Sequence, residues 1–256
     1  MSKHLKRLNA PRTTRLHRKE YTWTIRPSPG PHPLEKSIPL GLIVRDYLGL
    51  VDTLGEAKIV IANGEILVDD VKRKSPKFSC GLMDVISVPE LKKDYRILFD
   101  NRGKLTLVPI DSKDATWKLC RIENKTIVKE KQIQLNLHDG RNQIVKKDEY
   151  KKGDVLKISL KDKKISDIYK FEKGTISMII GGSHIGEVAS IEDIEIIPSS
   201  KPNLAKMKGK SNFSTLQDYV FPVGKTKPVI ELPEVKIQWM PKKPKQKNLQ
   251  KNKLRK

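Results

Sequence analysis

The sequence predicts a multi-module α+β protein in which a pair of short helices precedes a long series of short strands. Apolar residues recur at helical spacing between residues 37 and 63, whereas the alternation typical of strands dominates from residue 65 to residue 197. The basic residues are concentrated at the two ends of the chain. With 256 residues, the chain is long enough for one to three small domains.

The charge indicates the class of partner. The chain has 52 Lys and Arg against 30 Asp and Glu, a formal net charge of +22. A surplus of this size indicates a polyanion, either nucleic acid or an anionic membrane surface. Residues 1–36 carry a net +7 and residues 242–256 a net +8. Near the N-terminus, Arg is interleaved with Pro, Tyr and Trp, which favours nucleic-acid-binding arms over solubilising tails.

Several classes of protein are excluded by composition. No apolar run approaches the roughly 20 residues of a spanning helix, and the N-terminal segment lacks the apolar core of a secretory signal. Cys80 and Cys120 are far apart, so we expect neither a disulfide framework nor a zinc site. This use of cysteine indicates a reducing, intracellular compartment. The five histidines are scattered without metal-ligand spacing, so no metal or cofactor is expected.

Residues 1–36 are predicted to form a basic arm followed by a proline strap. The first part of the arm, up to residue 20, lacks periodic apolar positions and is expected to be disordered without a partner. Tyr21, Trp23 and Ile25 share one face of an extended segment. They either stack on bases or dock on the protein, and the period-2 spacing favours docking. Proline at every second position from 27 to 33 predicts an extended strap that follows the surface of a nucleic acid.

Residues 37–94 are predicted to form a small α+β unit. The first helix is indicated by apolar residues at Leu40, Ile43, Val44, Tyr47 and Leu48. The second helix begins at Thr53, with Glu56 at capping-box spacing, and ends at Asn63-Gly64. The segments EILVDD and LMDVISV are typical of strands, and the basic loop VKRKSPK separates them.

The remainder of the chain is predicted to be rich in strands. Residues 95–172 form a central β-rich, barrel-like domain, in which HDGR at 138–141 is a tight hairpin turn. Residues 173–240 form a third unit, with a glycine loop, GGSHIG, between two strands and a loop-rich extension from Pro198. A basic tail, residues 241–256, follows.

The helix pair and its two strands resemble the alpha-L RNA-binding fold, which recurs in ribosomal proteins, pseudouridine synthases and tyrosyl-tRNA synthetases. The residues that carry this resemblance are Thr53, Glu56, Ala57, Lys58, Ile61, Gly64, Ile66, Val68, Asp84, Ile86 and Val88. One departure is Leu54, where that fold usually has an arginine. Lys58 is therefore expected to contribute more of the positive charge of the second helix.

The glycine loop resembles a KOW motif, an element of small SH3-like barrels found in ribosomal proteins and transcription factors. Ala189 stands where the motif normally has another glycine. Gly181, Gly182 and Gly186 are expected to let the backbone approach RNA or protein closely, because they lack a Cβ atom.

The order of arm, strap, alpha-L fold, β-rich centre and KOW unit resembles the archaeal-type small-subunit ribosomal protein of the S4e family. Its specific stretches include KHLKRL, RPSPGPHPLEKSIPL, GLMDVISV and QLNLHDGRN. The resemblance implies binding of 16S-type rRNA beside neighbouring ribosomal proteins in the cytoplasmic small subunit, in translation. It implies no enzymatic activity, cofactor, membrane contact or small-molecule substrate. The alternatives are a non-ribosomal RNA-binding factor in transcription or ribosome assembly, and an RNA-modifying enzyme.

The candidate rRNA-binding residues come from the arm, the alpha-L unit, the hairpin turn, the glycine loop and the tail. Basic side chains neutralise phosphates and thereby contribute affinity and register more than base specificity. No catalytic or metal-binding residues are predicted. The candidates are Lys3, Lys6, Arg7, Arg12, Arg15, Arg18, Lys19, Arg26, Arg45, Lys58, Lys72, Arg73, Lys74, Arg141, Gly182, His184, Lys242, Lys243 and Lys245.

Overall fold

Three five-stranded antiparallel sheets make up most of the computed structural model, which describes residues 4–128, 132–209 and 211–232. Helices are few: a short helical segment, one α-helix and several 3-10 turns are found in these ranges. The architecture is therefore mostly β, with less helix than the expected α+β class implies.

The N-terminal segment is folded against the rest of the protein. β1 (Leu5–Lys6) pairs with β2 (Trp23–Thr24), and the loop between them buries Ala10. Arg18 fastens this loop, because its guanidinium donates to three of the loop's carbonyl groups at 2.7–3.0 Å. The expectation of disorder is therefore wrong for residues 4–20, where tertiary contacts order a segment that has little periodicity of its own.

The proline strap lies against the protein itself. The N–H of Ser28 donates to Lys77 O at 2.8 Å. His32 is buried, and its Nε2 lies 2.9 Å from Asp84 Oδ2. Gly81 makes room for this ring, because a Cβ there would lie 2.3 Å from a ring carbon of His32. The strap is thus attached to its own chain through His32 and Ser28, while Pro29 and Gly30 are exposed; that it follows a nucleic acid stays a prediction.

The helix pair forms as predicted. Its segments are α1 (Leu40–Leu42), a π-helical turn (Ile43–Tyr47) and α2 (Leu54–Asn63). Thr53 and Glu56 form the predicted capping box, in which each side chain accepts a hydrogen bond from the other residue's backbone N–H. Gly64 ends α2 with φ +76°, a left-handed conformation that favours glycine.

The first sheet packs against this helix pair. The strands of this part are β3 (Ser37–Pro39), β4 (Leu67–Val68), β5 (Val71–Lys72), β6 (Ser79–Gly81), β7 (Val85–Val88), β8 (Lys93–Phe99) and β9 (Leu105–Ile110). β3 pairs with β6, and the others form a sheet in the order β5-β4-β7-β8-β9. The boundary expected at residue 94 falls within β8, so this sheet extends through β9.

The second sheet has the order β12-β11-β10-β13-β14, and its strands have the bounds β10 (Trp117–Ile127), β11 (Ile133–Leu137), β12 (Asn142–Val145), β13 (Val155–Ser159) and β14 (Ile165–Tyr169). Leu135 and Leu137 face a separate apolar cluster with Cys120 and Ile122. The predicted HDGR turn joins β11 to β12, with Gly140 at φ +73°.

The third sheet contains strands that the sequence analysis missed. Its strands are β15 (Ile176–Ile179), β16 (Val188–Glu195), β17 (Leu204–Lys208), β18 (Asn212–Leu216) and β19 (Val220–Gly224), in the order β18-β17-β16-β15-β19. The prediction of a loop-rich extension after Pro198 is wrong. Buried Ala205 and Met207 alternate with exposed Lys206 and Lys208. This alternation is that of a strand, but the lysines gave the segment the composition of a loop.

One buried positive charge lies between the first and second sheets. Lys118, on β10, is 1% exposed, and its Nζ lies 2.7 Å from Asp69 Oδ2, 3.2 Å from Asp84 Oδ1 and 2.6 Å from Asp139 Oδ2. Asp69 and Asp84 belong to loops of the first sheet, and Asp139 to the β11–β12 turn. A charge removed from water is stable only when opposite charges and hydrogen bonds surround it. We call these four residues the Lys118 cluster.

A second contact from β10, made by an arginine, joins the second sheet to the third. Arg121 is buried, and its Nη1 donates to Asp218 O at 2.7 Å and to Val220 O at 3.1 Å. Polar contacts from β10 therefore reach both of the other sheets. Buried Arg96 on β8 adds a hydrogen bond to Trp117 O at 2.9 Å, and one apolar core contains residues of all three sheets.

Replacement of Lys118 by Ala would leave three buried carboxylates without their shared cation. We expect Lys118→Ala to lower the free energy of unfolding by about 3–5 kcal/mol. The control is Lys152→Ala, since the ion pair of Lys152 with Asp218 is exposed, and it should cost less than about 1 kcal/mol. Urea unfolding at neutral pH measures both changes. Equal losses of stability would contradict the assigned role of Lys118.

Candidate nucleic-acid interface

The basic loop, residues 71–77, begins at a strictly defined hairpin turn. Asp69 (φ +53°) and Asp70 (φ +61°) are both left-handed, as a two-residue type I′ turn between β4 and β5 requires. Asp69 Oδ1 accepts the N–H of Val85 at 3.1 Å, which attaches the turn to β7. The start of the basic loop is therefore held by both the backbone conformation and a buried carboxylate.

The basic loop presents Lys72 and Lys74 to solvent. Arg73 is half-buried, and its guanidinium lies 4.5 Å from the centre of the Phe78 ring. The stem of Lys72 lies against the end of α2, because a Cβ on Gly64 would be 3.3 Å from Lys72 Cδ. The C-terminal end of a helix carries partial negative charge, which favours a lysine at this place.

On the helix pair, the candidate residues differ in their surroundings. Lys58 is exposed on α2. Leu54, the departure from the alpha-L pattern, is half-buried and packs against the main apolar core. Arg45 is paired with Asp46 through contacts of 2.6 and 3.0 Å. Lys58 is therefore the exposed positive charge that α2 offers.

Arg141 connects the hairpin turn of the second sheet to the basic loop. Its Nη2 lies 2.7 Å from Asp69 Oδ2, and its Nε lies 3.4 Å from Asp139 Oδ2. The side chain is 31% exposed, so the guanidinium covers the Lys118 cluster and still faces solvent. The structure thus brings Arg141 next to the turn that precedes Lys72.

The carboxylates of the Lys118 cluster differ in their electrostatics: burial and the neighbouring Asp84 raise the pKa of Asp69, whereas the pKa of Asp84 is lowered. Although burial opposes the charge, His32 and Lys118 hold the pKa of Asp84 well below its usual range. Burial also opposes a charged His32, but Asp84 outweighs it and raises the pKa of His32 above 6.5. When His32 is protonated, it balances the three carboxylates together with Lys118 and Arg141.

His138 is held in the neutral form. Its Nδ1 accepts the N–H of Arg121 at 3.1 Å, and its Nε2 lies 3.2 Å from Leu82 O, to which it donates when the proton is on Nε2. Burial lowers the pKa of His138 to about 4. His32 and His138, whose ring centres lie 6.0 Å apart, therefore favour opposite protonation states.

Sequence reasoning missed the Lys118 cluster. The available signal was a lysine within the apolar strand segment WKLCRIE. Such a lysine also suits an edge strand with one side in water, so the segment alone does not indicate burial.

The candidates of the N-terminal arm divide into exposed and internal residues. Lys6, Arg12 and Lys19 are exposed, and Arg26 is half-buried. Arg7 is buried and donates to the backbone carbonyls at residues 17 and 23 at 2.8 and 3.3 Å. Arg7 therefore serves the fold, because its guanidinium is enclosed by the arm.

Two other arginines of the arm have internal partners and remain half-buried. Arg15 forms an ion pair with Asp100, and Arg18 donates to the carbonyl groups of the β1–β2 loop. The arm is consequently attached to the β8–β9 turn, where Asp100 lies.

The glycine loop is packed against the first sheet. A Cβ at Gly186 would lie 2.7 Å from the backbone of Asp100, so the close approach that glycine permits here is to the protein's own chain. Gly182 is half-buried at φ +83°. The ring of His184 stacks on Phe213, with ring centres 4.0 Å apart and planes 10° from parallel.

Four candidate lysines, Lys3, Lys242, Lys243 and Lys245, lie outside the described residues. Among the residues that are described, no helix is long and apolar enough to cross a membrane. The same ranges contain no group of three or more His, Cys, Asp or Glu that could hold a metal ion.

Comparison with known proteins gives consistent matches. A family model described as ribosomal family S4e matches residues 91–165, and the RS4NT domain model matches residues 1–35. Small ribosomal subunit protein eS4 of Methanosphaera stadtmanae is 49% identical over 231 residues, which cover 90% of this chain and 95% of that protein. The eS4 protein of Methanothermobacter thermautotrophicus is 49% identical over 234 residues, covering 90% and 96%.

A solved structure has a similar fold. The crystal structure of the 30S ribosomal protein S4e from Thermoplasma acidophilum matches with a TM-score of 0.66 and 37% sequence identity. The match covers 75% of this chain and 96% of that one.

The two histidines predict a maximum of stability near pH 6.5, their ordinary pKa. His32 has a raised pKa, so its contribution is complete below 6.5 and is lost as the pH rises through its folded pKa. His138 has a lowered pKa, so stability falls as the pH drops from 6.5 towards 4, because only the unfolded chain takes up the proton.

The loss due to His138 should be about 2 kcal/mol between about pH 7 and about pH 5. Urea unfolding across this range, compared between the parent and His138→Gln, isolates the effect because glutamine does not titrate. Parallel pH profiles for the two proteins would contradict a neutral, buried His138.

Proposed function

The chain belongs to the ribosomal S4e family, and we propose that it binds 16S-type ribosomal RNA through the basic loop, α2 and the N-terminal arm. It is a structural protein of the small ribosomal subunit and is not an enzyme. Its partners are rRNA and other ribosomal proteins, and we propose that it acts in cytoplasmic ribosomes during translation.

The observation that carries the RNA proposal is a set of lysines on anchored backbone. Lys58, Lys72 and Lys74 are exposed and make no ion pair with the part of the chain that the structure describes, unlike Arg45 and Arg141. An unpaired lysine is available to phosphate, and each phosphate that is neutralised releases counterions from the RNA. The basic loop is also held in place before binding, which reduces the entropy lost on binding.

The wider contact set that we propose follows from exposure. Arg15, Arg18, Arg45 and Arg141 are internally paired but half-exposed, so their remaining N–H groups can reach phosphate at the edge of the interface. Arg7 is left out because it is buried. The other proposed contacts are Lys3, Lys6, Arg12, Lys19, Arg26, Lys58, Lys72, Arg73, Lys74, Gly182, His184, Lys242, Lys243 and Lys245.

We propose a module assignment that follows the family resemblance. The capped helix pair followed by β4–β7 supports an alpha-L fold for residues 37–94, after an arm and strap at 1–36. The glycine loop between β15 and β16 of a five-stranded sheet supports an SH3-like KOW unit for residues 173–240. The central domain is then 95–172, although β8 and β9 at its start complete the first sheet, and the basic tail is 241–256.

A triple substitution tests the basic loop and α2. We expect Lys58→Gln, Lys72→Gln and Lys74→Gln together to weaken binding to 16S-type rRNA. The slope of log affinity against log salt should fall by roughly 0.7–0.9 for each phosphate that the variant no longer neutralises. The control removes the same charge from the exposed β13–β14 turn, with Lys161→Gln, Lys163→Gln and Lys164→Gln. Equal slopes for the two triple variants would contradict the assignment of the interface.

Sedimentation tests the assembly. The tagged full-length chain should migrate with small ribosomal subunits in high salt and in stoichiometric amount. A dominant free pool that binds other RNA would instead favour the non-ribosomal RNA-binding factor.

A further inference from the structure

Two large aromatic side chains of the N-terminal arm remain exposed. Tyr21 is 64% exposed and Trp23 is 52% exposed, although both belong to the period-2 pattern that favoured docking. Only Ile25, the third residue of that pattern, contacts the main apolar core. Packing against the main apolar core therefore explains the apolar residue Ile25, but it does not explain the two aromatic rings, which face water.

The exposed indole is held in a defined position. Trp23 pairs with Lys6 across the β1–β2 ribbon, and its carbonyl accepts a hydrogen bond from Arg7 Nε at 3.3 Å. The ring of His4 meets the indole edge to face, with centres 5.1 Å apart and planes at 83°. A tryptophan that is exposed but fixed loses little entropy when a planar group stacks on it.

The segment around both rings is basic. Buried Arg7 packs over the Tyr21 ring, 5.0 Å from its centre, and is paired with Glu20 at 3.6 Å, so the exposed charge opposite Trp23 is Lys6. Residues 4–26 contain seven Lys and Arg and a single acidic residue, Glu20, a net charge of +6. The combination of flat apolar rings with positive charge fits a ligand that has both a planar ring and a negative group. An unpaired nucleotide has both.

We propose that Trp23 and Tyr21 form a stacking site for an unpaired nucleotide of RNA, with Lys6 opposite Trp23 placed to contact its phosphate. This inference rests on the proposed RNA binding and adds recognition of an unstacked base to it. Stacking on an aromatic ring tolerates any base, since every base has a π-face. The site therefore selects unpaired over paired RNA, rather than one sequence over another.

The test compares Trp23→Ala and Trp23→Phe with the parent, using full-length protein and two probes. The probes are 16S-type rRNA and a short unstructured oligoadenylate, each titrated at the same series of salt concentrations. We expect Trp23→Ala to bind oligoadenylate roughly tenfold more weakly, with an unchanged salt slope, and Trp23→Phe to recover part of the loss. Ile127→Ala removes another exposed apolar side chain, 80% exposed, and should bind as the parent does.

A second measurement guards against loss of folding. The measurement uses the Trp239→Phe background, because Trp239 stands close in sequence to the proposed contacts Lys242 and Lys243. In that background the tryptophan emission should be quenched by oligoadenylate, and the quenching should be absent when Trp23→Phe is added, which retains an aromatic ring on the ribbon. Equal affinities of Trp23→Ala and the parent, or quenching that persists in the double variant, would overturn the inference.

The remaining outcomes separate this inference from the proposed function. If the parent does not bind rRNA, the proposed function fails first. If rRNA binding is intact and Trp23→Ala loses only its incorporation into small subunits, the rings contact a protein neighbour and the inference is wrong. Binding of the parent to vesicles of anionic lipid, with a Trp23-dependent blue shift and without RNA binding, would also overturn it.

Discussion

The placement of the first sheet against the second depends on the buried ammonium group of Lys118, beside the apolar core that both sheets share. This ammonium group is removed from water and therefore needs the carboxylates of Asp69, Asp84 and Asp139 at the same time. These carboxylates come from the β4–β5 turn, the segment before β7 and the β11–β12 turn. Lys118 consequently joins the two sheets, together with Arg96 of β8, whose Nη2 donates to Trp117 O at 2.9 Å. His32 attaches the strap to the Lys118 cluster, because its Nε2 contacts Asp84 Oδ2.

The buried cluster also explains how the surface proposed for RNA binding is held in one conformation. Asp69 contacts Lys118, Arg141 and the backbone of β7, and it stands immediately before the basic loop. The buried contacts hold the backbone of the basic loop in place, and its exposed lysines supply the positive charge. Arginine and lysine have different roles in this protein. Several arginines donate to carbonyl groups inside the fold, because a guanidinium has five donors. The exposed positive charge of the basic loop and α2 comes mainly from lysine.

The units are connected more closely than a series of independent modules. Arg121 joins the second sheet to the third, and the glycine loop packs against the β8–β9 turn through Gly186 and Asp100. Asp100 also holds Arg15 of the N-terminal arm. The arm, the first sheet and the third sheet therefore meet at one turn, which orders a segment that has almost no apolar periodicity.

By itself, the sequence determined those features that a few neighbouring residues control. The limits of α2 follow from Thr53, Glu56 and Gly64, and the β11–β12 turn follows from Asp139 and Gly140, because capping and turn chemistry act within three or four residues. Family-specific stretches likewise identified the chain.

Only the tertiary structure decided what depends on residues that are distant in sequence. The docking of the strap, the order of the arm, the strands after Pro198 and the burial of Lys118 all belong to this group. Asp69 and Asp139 stand 70 positions apart, and neither has a local signal of its contact with Lys118. The free energy of a buried ion pair comes from the exclusion of water by many surrounding residues, and no short segment contains that information.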